Sequence, residues 1–479
     1  MIREGITSCP AVIYSEDKRD GKLLTTFLLG LTYLILGCVQ KLPSSTVSLL
    51  GAQLGPSQEK IKIHMMITFS IRQMGYICGF VCGGAAFDYF ILPMEKQVMI
   101  SFMLVIMALS CLFLPFFTSM LRIGIVLFIS GVSMTFVSTG INTYVMDLYG
   151  VNSNTGIQFI YAWNLLGKFI TYMATRIDYQ KFSISPNITV SYENRREVFT
   201  KLFISYSTLG AFITLLALAW ICLYRFSPRE YQSHVPFDDS RQEKTTLGFQ
   251  TLAVVTTVPM LISAAFLDFV YELLIRTYAT NKLGRTVRKH ENVISFYYIS
   301  MVLGRQIAIV IAYKLLTPSW MISLDLLVQL FAACLMPLLH KFEDTLLWVV
   351  TGLVGLSSAS LVPSTLAWLN SHIMITGKII GSMYAASIIT LMTVPIWLDE
   401  TLLDDPEAPL YYMLLVPLFY ATIFAIQIFL FRRERNLKSA IQESSDSQQI
   451  RRILETISRQ GTHTGSRAPG EIRRAYTVP

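Results

Sequence analysis

The apolar run Pro259–Tyr278, PMLISAAFLDFVYELLIRTY, carries three ionisable residues, Asp268, Glu272 and Arg276. Steps of four residues set all three on one face of a helix. Charge inside hydrocarbon is expensive, so such groups face a bundle interior, pair with one another, or line a path for ions or solutes. The chemistry that suits them is the binding and release of a cation, a proton or a polar solute. Glu272 is the candidate coupling or gating carboxylate. Arg276, nearer the end of the run, is also well placed to snorkel to the interface.

Other polar residues fall at similar depth in other apolar runs: Gln40 and Lys41 just before Pro43, Arg72 and Gln73, Asn142, Gln158, Asn164 and Lys168, Arg305 and Gln306, and Asn370, with Trp163 and Trp368 close by in sequence. Amides both donate and accept, and indole rings cover C–H faces, so this set suits a polyhydroxyl ligand. Amides also join helices to each other inside membranes. Arg72, Lys168, Arg305 and Asp268 stand near mid-helix, and Arg305 with Asp268 is the expected ion pair. In this set cations outnumber acids, which would also suit an anionic solute. The six histidines, at 64, 234, 290, 340, 372 and 463, lie in loops, tails or helix ends. No HExxH, phosphate-binding loop or nucleophile signature accompanies them, so neither a catalytic residue nor a metal site is expected. No cofactor is expected beyond a coupling ion, sodium or a proton.

Elements long enough to position these groups are plain in the composition. Of 479 residues, 53% are hydrophobic and 15% charged, against roughly 25% charged in soluble proteins. The chain reads as an all-α integral membrane protein whose partners are a bilayer and a small solute. The net charge of +8 sits largely in the C-terminal tail, and nucleic acid is not implied. Six of the seven cysteines lie in apolar runs and read as small buried hydrophobes rather than disulfide partners.

Apolar stretches follow a polar tail, 1–22, at about 23–50, 61–88, 97–117, 123–147, 157–177 and 199–224, and resume at 250–280, 293–313, 319–339, 345–369, 376–398 and 411–431. Each can cross about 30 Å of hydrocarbon. The expected organisation is twelve transmembrane helices: a six-helix bundle over 23–224, a polar loop over 225–249, a second six-helix bundle over 250–431, and a basic tail over 432–479. Gly131 and Thr155-Gly156 recur as Gly352 and Thr376-Gly377, and Arg72-Gln73 recurs as Arg305-Gln306. This fits two parallel repeats with a site between them. Loop Lys and Arg counts are nearly equal on the two sides and do not orient the chain. The sequon Asn187-Ile188-Thr189 and the Arg432-Arg433-Glu434-Arg435 cluster after the last run place both termini in the cytosol and Asn187 outside as a glycosylation site.

The layout resembles the major facilitator superfamily. Gly84-Ala-Ala-Phe-Asp88 stands where that superfamily has a G-x-x-x-D signature, which implies a gating role for Asp88; the basic residues that usually follow are replaced by Tyr89-Phe-Ile-Leu-Pro93. Within the superfamily, Phe266-Leu-Asp-Phe-Val-Tyr-Glu272, Leu303-Gly-Arg305 and Ser360-Leu-Val-Pro-Ser-Thr365 running on to Ile375-Thr-Gly-Lys378 resemble segments of the sodium-dependent glucose transporter 1-like family. That family has an acid where this chain has Asn370. The resemblance implies alternating-access transport of a hexose by a monomeric transport unit in the plasma membrane, with Glu272, Arg305 and Asp268 as one network. An organic-anion carrier of the same fold and a non-transporting membrane sensor or scaffold are the alternatives.

Overall fold

The computed structural model describes residues 11–54, 58–89, 93–150, 153–182, 192–226, 247–281, 287–404, 411–437 and 439. Asn187, residues 1–10, most of the polar loop and the tail beyond 439 lie outside the described residues, as does the side chain of Arg276. Everything described is helix or short turn. In chain order the helices are α1 (Ala11–Ser45), α2 (Val47–Leu54), α3 (Gln58–Tyr89), α4 (Pro93–Phe113), α5 (Met120–Tyr149), α6 (Ser153–Phe182), α7 (Tyr192–Phe226), α8 (Leu247–Asn281), α9 (Val287–Lys314), α10 (Pro318–Leu335), α11 (Leu339–Asn370) and α12 (Gly377–Asp404). They are followed by α13 (Tyr411–Leu437). By compactness the chain divides into Met1–Ile423 and Phe424–Pro479.

Local signals account for the breaks. Pro93 and Pro318 open helices at positions where a missing N–H costs nothing. α5 stops at Gly150, whose φ of 54° closes the helix with its N–H on the Met146 carbonyl.

Among the described residues ten helices are long and apolar enough to cross a membrane, and the chain is a multi-pass membrane protein. Of the twelve expected spans, α6 is not among the ten; in α12 the described side chains give the apolar stretch Gly377–Ile389. α6 carries Gln158, Asn164 and Lys168. It can do so because it packs against α1, α9 and α11 instead of standing alone in lipid.

The most extensive helix contacts are α3 with α5, α1 with α6, α3 with α12, and α4 with α7. At the α1–α6 crossing Gly37 and Gly167 let the backbones touch. A Cβ on Gly37 would lie 2.0 Å from the Asn164 carbonyl oxygen, and one on Gly167 would lie 2.0 Å from that of Leu34. The expected repeat has a counterpart here: Gly131 of α5 faces α3, and Gly352 of α11 faces α9. α3 and α9 are the helices that carry the two Arg-Gln pairs.

Large apolar side chains cover the outside. On α9, Leu303, Ile307 and Val310 form one exposed stripe. Among the described residues Cys78, Cys82, Cys222 and Cys334 are exposed, and Cys38 and Cys111 are buried. The expectation of uniformly buried cysteines is corrected: in a membrane protein an apolar thiol can also face outward, toward lipid.

Candidate functional site

α6, α8 and α9 assemble the central charges. Arg305 of α9 is buried and donates from Nη1 to Gln158 Oε1 of α6 at 3.3 Å. Gln158 is fully buried, and its Nε2 donates to Ser364 Oγ of α11 at 2.9 Å. Asp268 of α8 accepts from Tyr297 Oη at 3.2 Å. Lys168 of α6 sits in the field of Asp268, Lys41, Arg305 and Glu272, and Arg305 in that of Asp268, Tyr161 and Asp325. Beside them is a wall of phenols and amides. Asn142 donates to Tyr33 Oη at 2.5 Å, and Asn164 donates to the Tyr33 carbonyl at 3.2 Å. The hydroxyls of Tyr161 and Tyr384 are hydrogen-bonded to each other. Tyr33 packs on Tyr161, and Phe80 stacks on Tyr384. Six helices, α1, α5, α6, α9, α11 and α12, thus turn hydroxyls, amides and a guanidinium toward one region.

Each end of this region is bridged. At one end Lys41 Nζ of α1 donates to Glu272 Oε1 of α8 at 2.8 Å, and Tyr298 Oη of α9 donates to Glu272 Oε2 at 3.0 Å. The Lys41 ammonium also lies 5.1 Å from the Tyr298 ring centre and 5.8 Å from that of Tyr172, within cation–π range. At the other end Asp88, closing α3, accepts the first backbone N–H groups of α12. Oδ1 takes Gly377 N–H, and Oδ2 takes Lys378 N–H at 2.9 Å. A carboxylate at a helix N-terminus meets unpaired donors and the positive end of the helix dipole. The approach needs two glycines. A Cβ on Gly84 would lie 2.6 Å from the Gly377 carbonyl oxygen, and one on Gly377 would lie 2.8 Å from both Asp88 Oδ1 and the Gly84 carbonyl oxygen. On this same side Asn370 donates to the Gly150 carbonyl at 3.2 Å and to Ser153 Oγ at 2.8 Å, and Lys96 pairs with Asp147 at 2.6 Å.

No family model matches the chain. Curated relatives do. A sodium-dependent glucose transporter 1A of Mus musculus is 23% identical over 387 residues, which is 76% of this chain and 87% of that protein. A sodium-dependent glucose transporter 1 of Danio rerio is 22% identical over 445 residues, 85% and 72% of the two chains. Solved structures align over nearly the whole length. The major facilitator superfamily proton:xylose symporter XylE, bound to 6-bromo-6-deoxy-D-glucose, superposes with a TM-score of 0.62 at 13% identity, over 85% of this chain and 95% of its own. The E. coli fucose:proton symporter FucP gives 0.61 at 14% identity, over 86% and 99%. The human organic anion transporter MFSD10 gives 0.56 at 14%, also over 86% and 99%. The chain has the major facilitator fold. It resembles the sodium-dependent glucose transporter 1 proteins along most of its length.

Within the major facilitator fold the sequence-predicted residues separate into groups. Gln158, Lys168, Asp268 and Arg305 gather at the centre, with Asn142 and Asn164 on its amide wall. Lys41 and Glu272 meet at one end. Several expectations are corrected. Among the described residues Arg305 makes no ion pair with Asp268, because its guanidinium turns to Gln158 while Tyr297 supplies the donor to Asp268. Glu272 takes Lys41, not Arg305, since α1 brings the ammonium to α8. Trp368 and Asn370 sit at the Asp88 side rather than the centre, Trp368 against His372. Gln306 is exposed on the same face as Leu303 and Val310, because it follows Arg305 by one residue and so points about 100° away from it. Gln73 is half-buried, and its Oε1 has no donor among the described residues. Gln40 offers its carbonyl, at 3.3 Å, to Arg72, whose main contact is the Val39 carbonyl at 2.8 Å.

Some polar groups escaped the sequence reading. Asp325 of α10 is buried and accepts from Ser360 Oγ of α11. One turn on, Gln329 accepts from Ser357 Oγ. The signal was available, since Asp325 is the one acid in the run PSWMISLDLLVQLFAACL. Its presence shifts the charge balance. With Asp325 counted, Arg305 faces two buried acids instead of one. Tyr33, Tyr161, Tyr384 and Tyr298 carried no special signal; aromatic residues are common in such helices.

Proposed function

We propose that this protein is a secondary transporter that moves a hexose-like sugar across a membrane by alternating access, and that it is not an enzyme. The observation that carries the proposal is the central region lined by Gln158, Asn142, Asn164 and the phenols of Tyr33, Tyr161 and Tyr384, bridged at one end by Lys41–Glu272 and at the other by Asp88 with the start of α12. Neutral donors and acceptors backed by aromatic faces match the hydroxyls and C–H faces of a sugar. The names of the relatives and of two structural neighbours point the same way. Opening toward either side requires one bridge to break while the other holds, which is the logic of alternating access.

The remaining features extend this reading. α6 and α12 serve as the fifth and eleventh of twelve spans, α6 with its polar side chains sheltered by neighbours. The chain forms two six-helix bundles over 23–224 and 250–431, related as parallel repeats. Both termini are cytosolic, Asn187 is outside and glycosylated, the transport unit is a monomer, and the plasma membrane is its site. Sodium or a proton is the coupling ion, with Glu272 its carboxylate.

An organic-anion substrate is the second reading, favoured by Arg305 and Lys168 and by the likeness to MFSD10. Purified full-length protein in proteoliposomes decides. Uptake of labelled hexoses, enhanced by an inward sodium or proton gradient and not competed by organic anions, is the expected result. Anion flux without sugar flux would establish the second reading, and no flux of either would leave a sensor or scaffold.

A further inference from the structure

Arg72 looks like a pathway cation by sequence, yet its guanidinium is spent on backbone. Pro43 lies inside α1. A proline has no N–H, so the carbonyl four residues earlier loses its helical donor, and the ring pushes that carbonyl aside. Four residues before Pro43 is Val39, which is buried. Arg72 Nη2, reaching from α3, donates to the Val39 carbonyl at 2.8 Å and to the next carbonyl, Gln40, at 3.3 Å. The guanidinium is held in place by Tyr76, whose ring centre lies 5.1 Å from it. The turn with the missing bond, Val39 to Pro43, contains Lys41, which reaches Glu272.

We infer that Arg72 is a positioning residue: it completes the proline-broken turn of α1 and thereby aims Lys41 at Glu272. Arginine suits the task. A single terminal nitrogen, Nη2, reaches both adjacent carbonyls at the kink, and the flat guanidinium packs against the Tyr76 ring. A buried carbonyl left without any donor is penalised heavily, and the turn would shift to find water or another partner. Below the kink the chain is held separately: Thr46 Oγ1 bonds the Leu42 carbonyl at 2.9 Å and the Tyr206 hydroxyl at 3.1 Å. The turn carrying Lys41 therefore depends on Arg72 in a way that the turn after it does not. This role rests on the transporter reading only in making the Lys41–Glu272 bridge a gate.

The test is a mutant cycle on full-length protein, with Arg72→Met, Arg72→Lys and Pro43→Ala, alone and combined. Pro43→Ala returns an N–H that can reach the Val39 carbonyl, so it should make Arg72 dispensable. Two readouts that need no solute are thermal stability and the rate at which a short bis-maleimide joins Lys41→Cys to Glu272→Cys. Arg72→Met should lower the melting midpoint by several degrees and slow cross-linking about tenfold, the effect of one orphaned buried carbonyl. Adding Pro43→Ala should recover most of both. Arg72→Lys, which keeps a charged donor but loses the flat guanidinium that packs on Tyr76, should fall between and guards against Arg72→Met failing to fold. Equal losses with and without Pro43→Ala would overturn the inference, as would a fall in stability with cross-linking unchanged. Sugar flux, measured separately, can fail without touching either result.

Discussion

Breaking the Lys41–Glu272 bridge should open one end of the protein, and the size of the effect can be estimated from its geometry. At 2.8 Å and an effective dielectric of about 20, the Coulomb attraction is roughly 6 kcal/mol. Desolvating the two groups takes back much of that; surface pairs retain under about 1 kcal/mol, while breaking fully buried ones costs about 3–5 kcal/mol. Side-chain exposures of 12% for Lys41 and 26% for Glu272 place this pair between those limits, so its coupling energy should be about 1.5–2 kcal/mol. That shifts a two-state equilibrium roughly ten- to thirtyfold. Lys41→Met and Glu272→Gln should each raise the labelling rate of a cysteine placed beside Tyr172 by about that factor, and the double mutant should do no more than either alone. The assay is maleimide labelling of purified protein, and proteoliposome uptake separates gating from coupling. If Glu272 also couples the ion, Glu272→Gln abolishes uphill accumulation while Lys41→Met only alters rate. Additive labelling effects would refute the bridge as a latch. A parent that concentrates sugar, with a Glu272→Gln variant that concentrates it equally well, would refute coupling.

Three further outcomes follow from the same geometry. Arg305→Ala strands Asp268 and Asp325 and leaves Gln158 Oε1 without its donor, so it should destabilise by about 3 kcal/mol; adding Asp325→Asn should recover part of this, read by thermal unfolding. Asp88→Ala removes both acceptors from the α12 N-terminus, at about 1.5–3 kcal/mol for a charge-assisted bond, and should raise the labelling of a cysteine at Lys378 tenfold or more. Gly37→Leu cannot fit against a carbonyl that a Cβ would already approach to 2.0 Å and should yield no monodisperse protein, whereas Gly248→Ala, where a Cβ meets nothing within 4 Å, should behave as the parent in size-exclusion chromatography.

The helices were legible because hydrocarbon imposes length and apolarity on every span, and because Pro93, Pro318 and Gly150 mark where the chain turns. α6 shows where that rule thins. Its amides and lysine make it a poor span on its own, and only its position among α1, α9 and α11 explains how it survives. The charged residues were legible as a set but not as pairs. Lys41 and Glu272 are 231 positions apart, and no spacing rule reaches that far; helical periodicity told only that Asp268 and Glu272 share a face. Gln306 lies at the same depth as Arg305, but depth does not set direction: neighbouring residues on a helix point about 100° apart.

The two Arg-Gln pairs show most directly what a repeat does and does not convey. Arg72 and Arg305 stand on corresponding helices, α3 and α9, each packed against the partner that carries the matching glycine, Gly131 or Gly352. The framework is thus repeated, yet the two guanidinium groups do different jobs. Arg72 spends its hydrogen bonds on α1 because Pro43 frees a carbonyl there. In α8 the proline is Pro259, nine residues before Asp268 and near the opposite end of the helix, so no freed carbonyl waits for Arg305. Its Nη1 instead reaches the side chain of Gln158, with Asp268 and Asp325 supplying the countercharge. The position of one proline relative to one arginine therefore decides which of two matching cations becomes structural and which stays available at the centre.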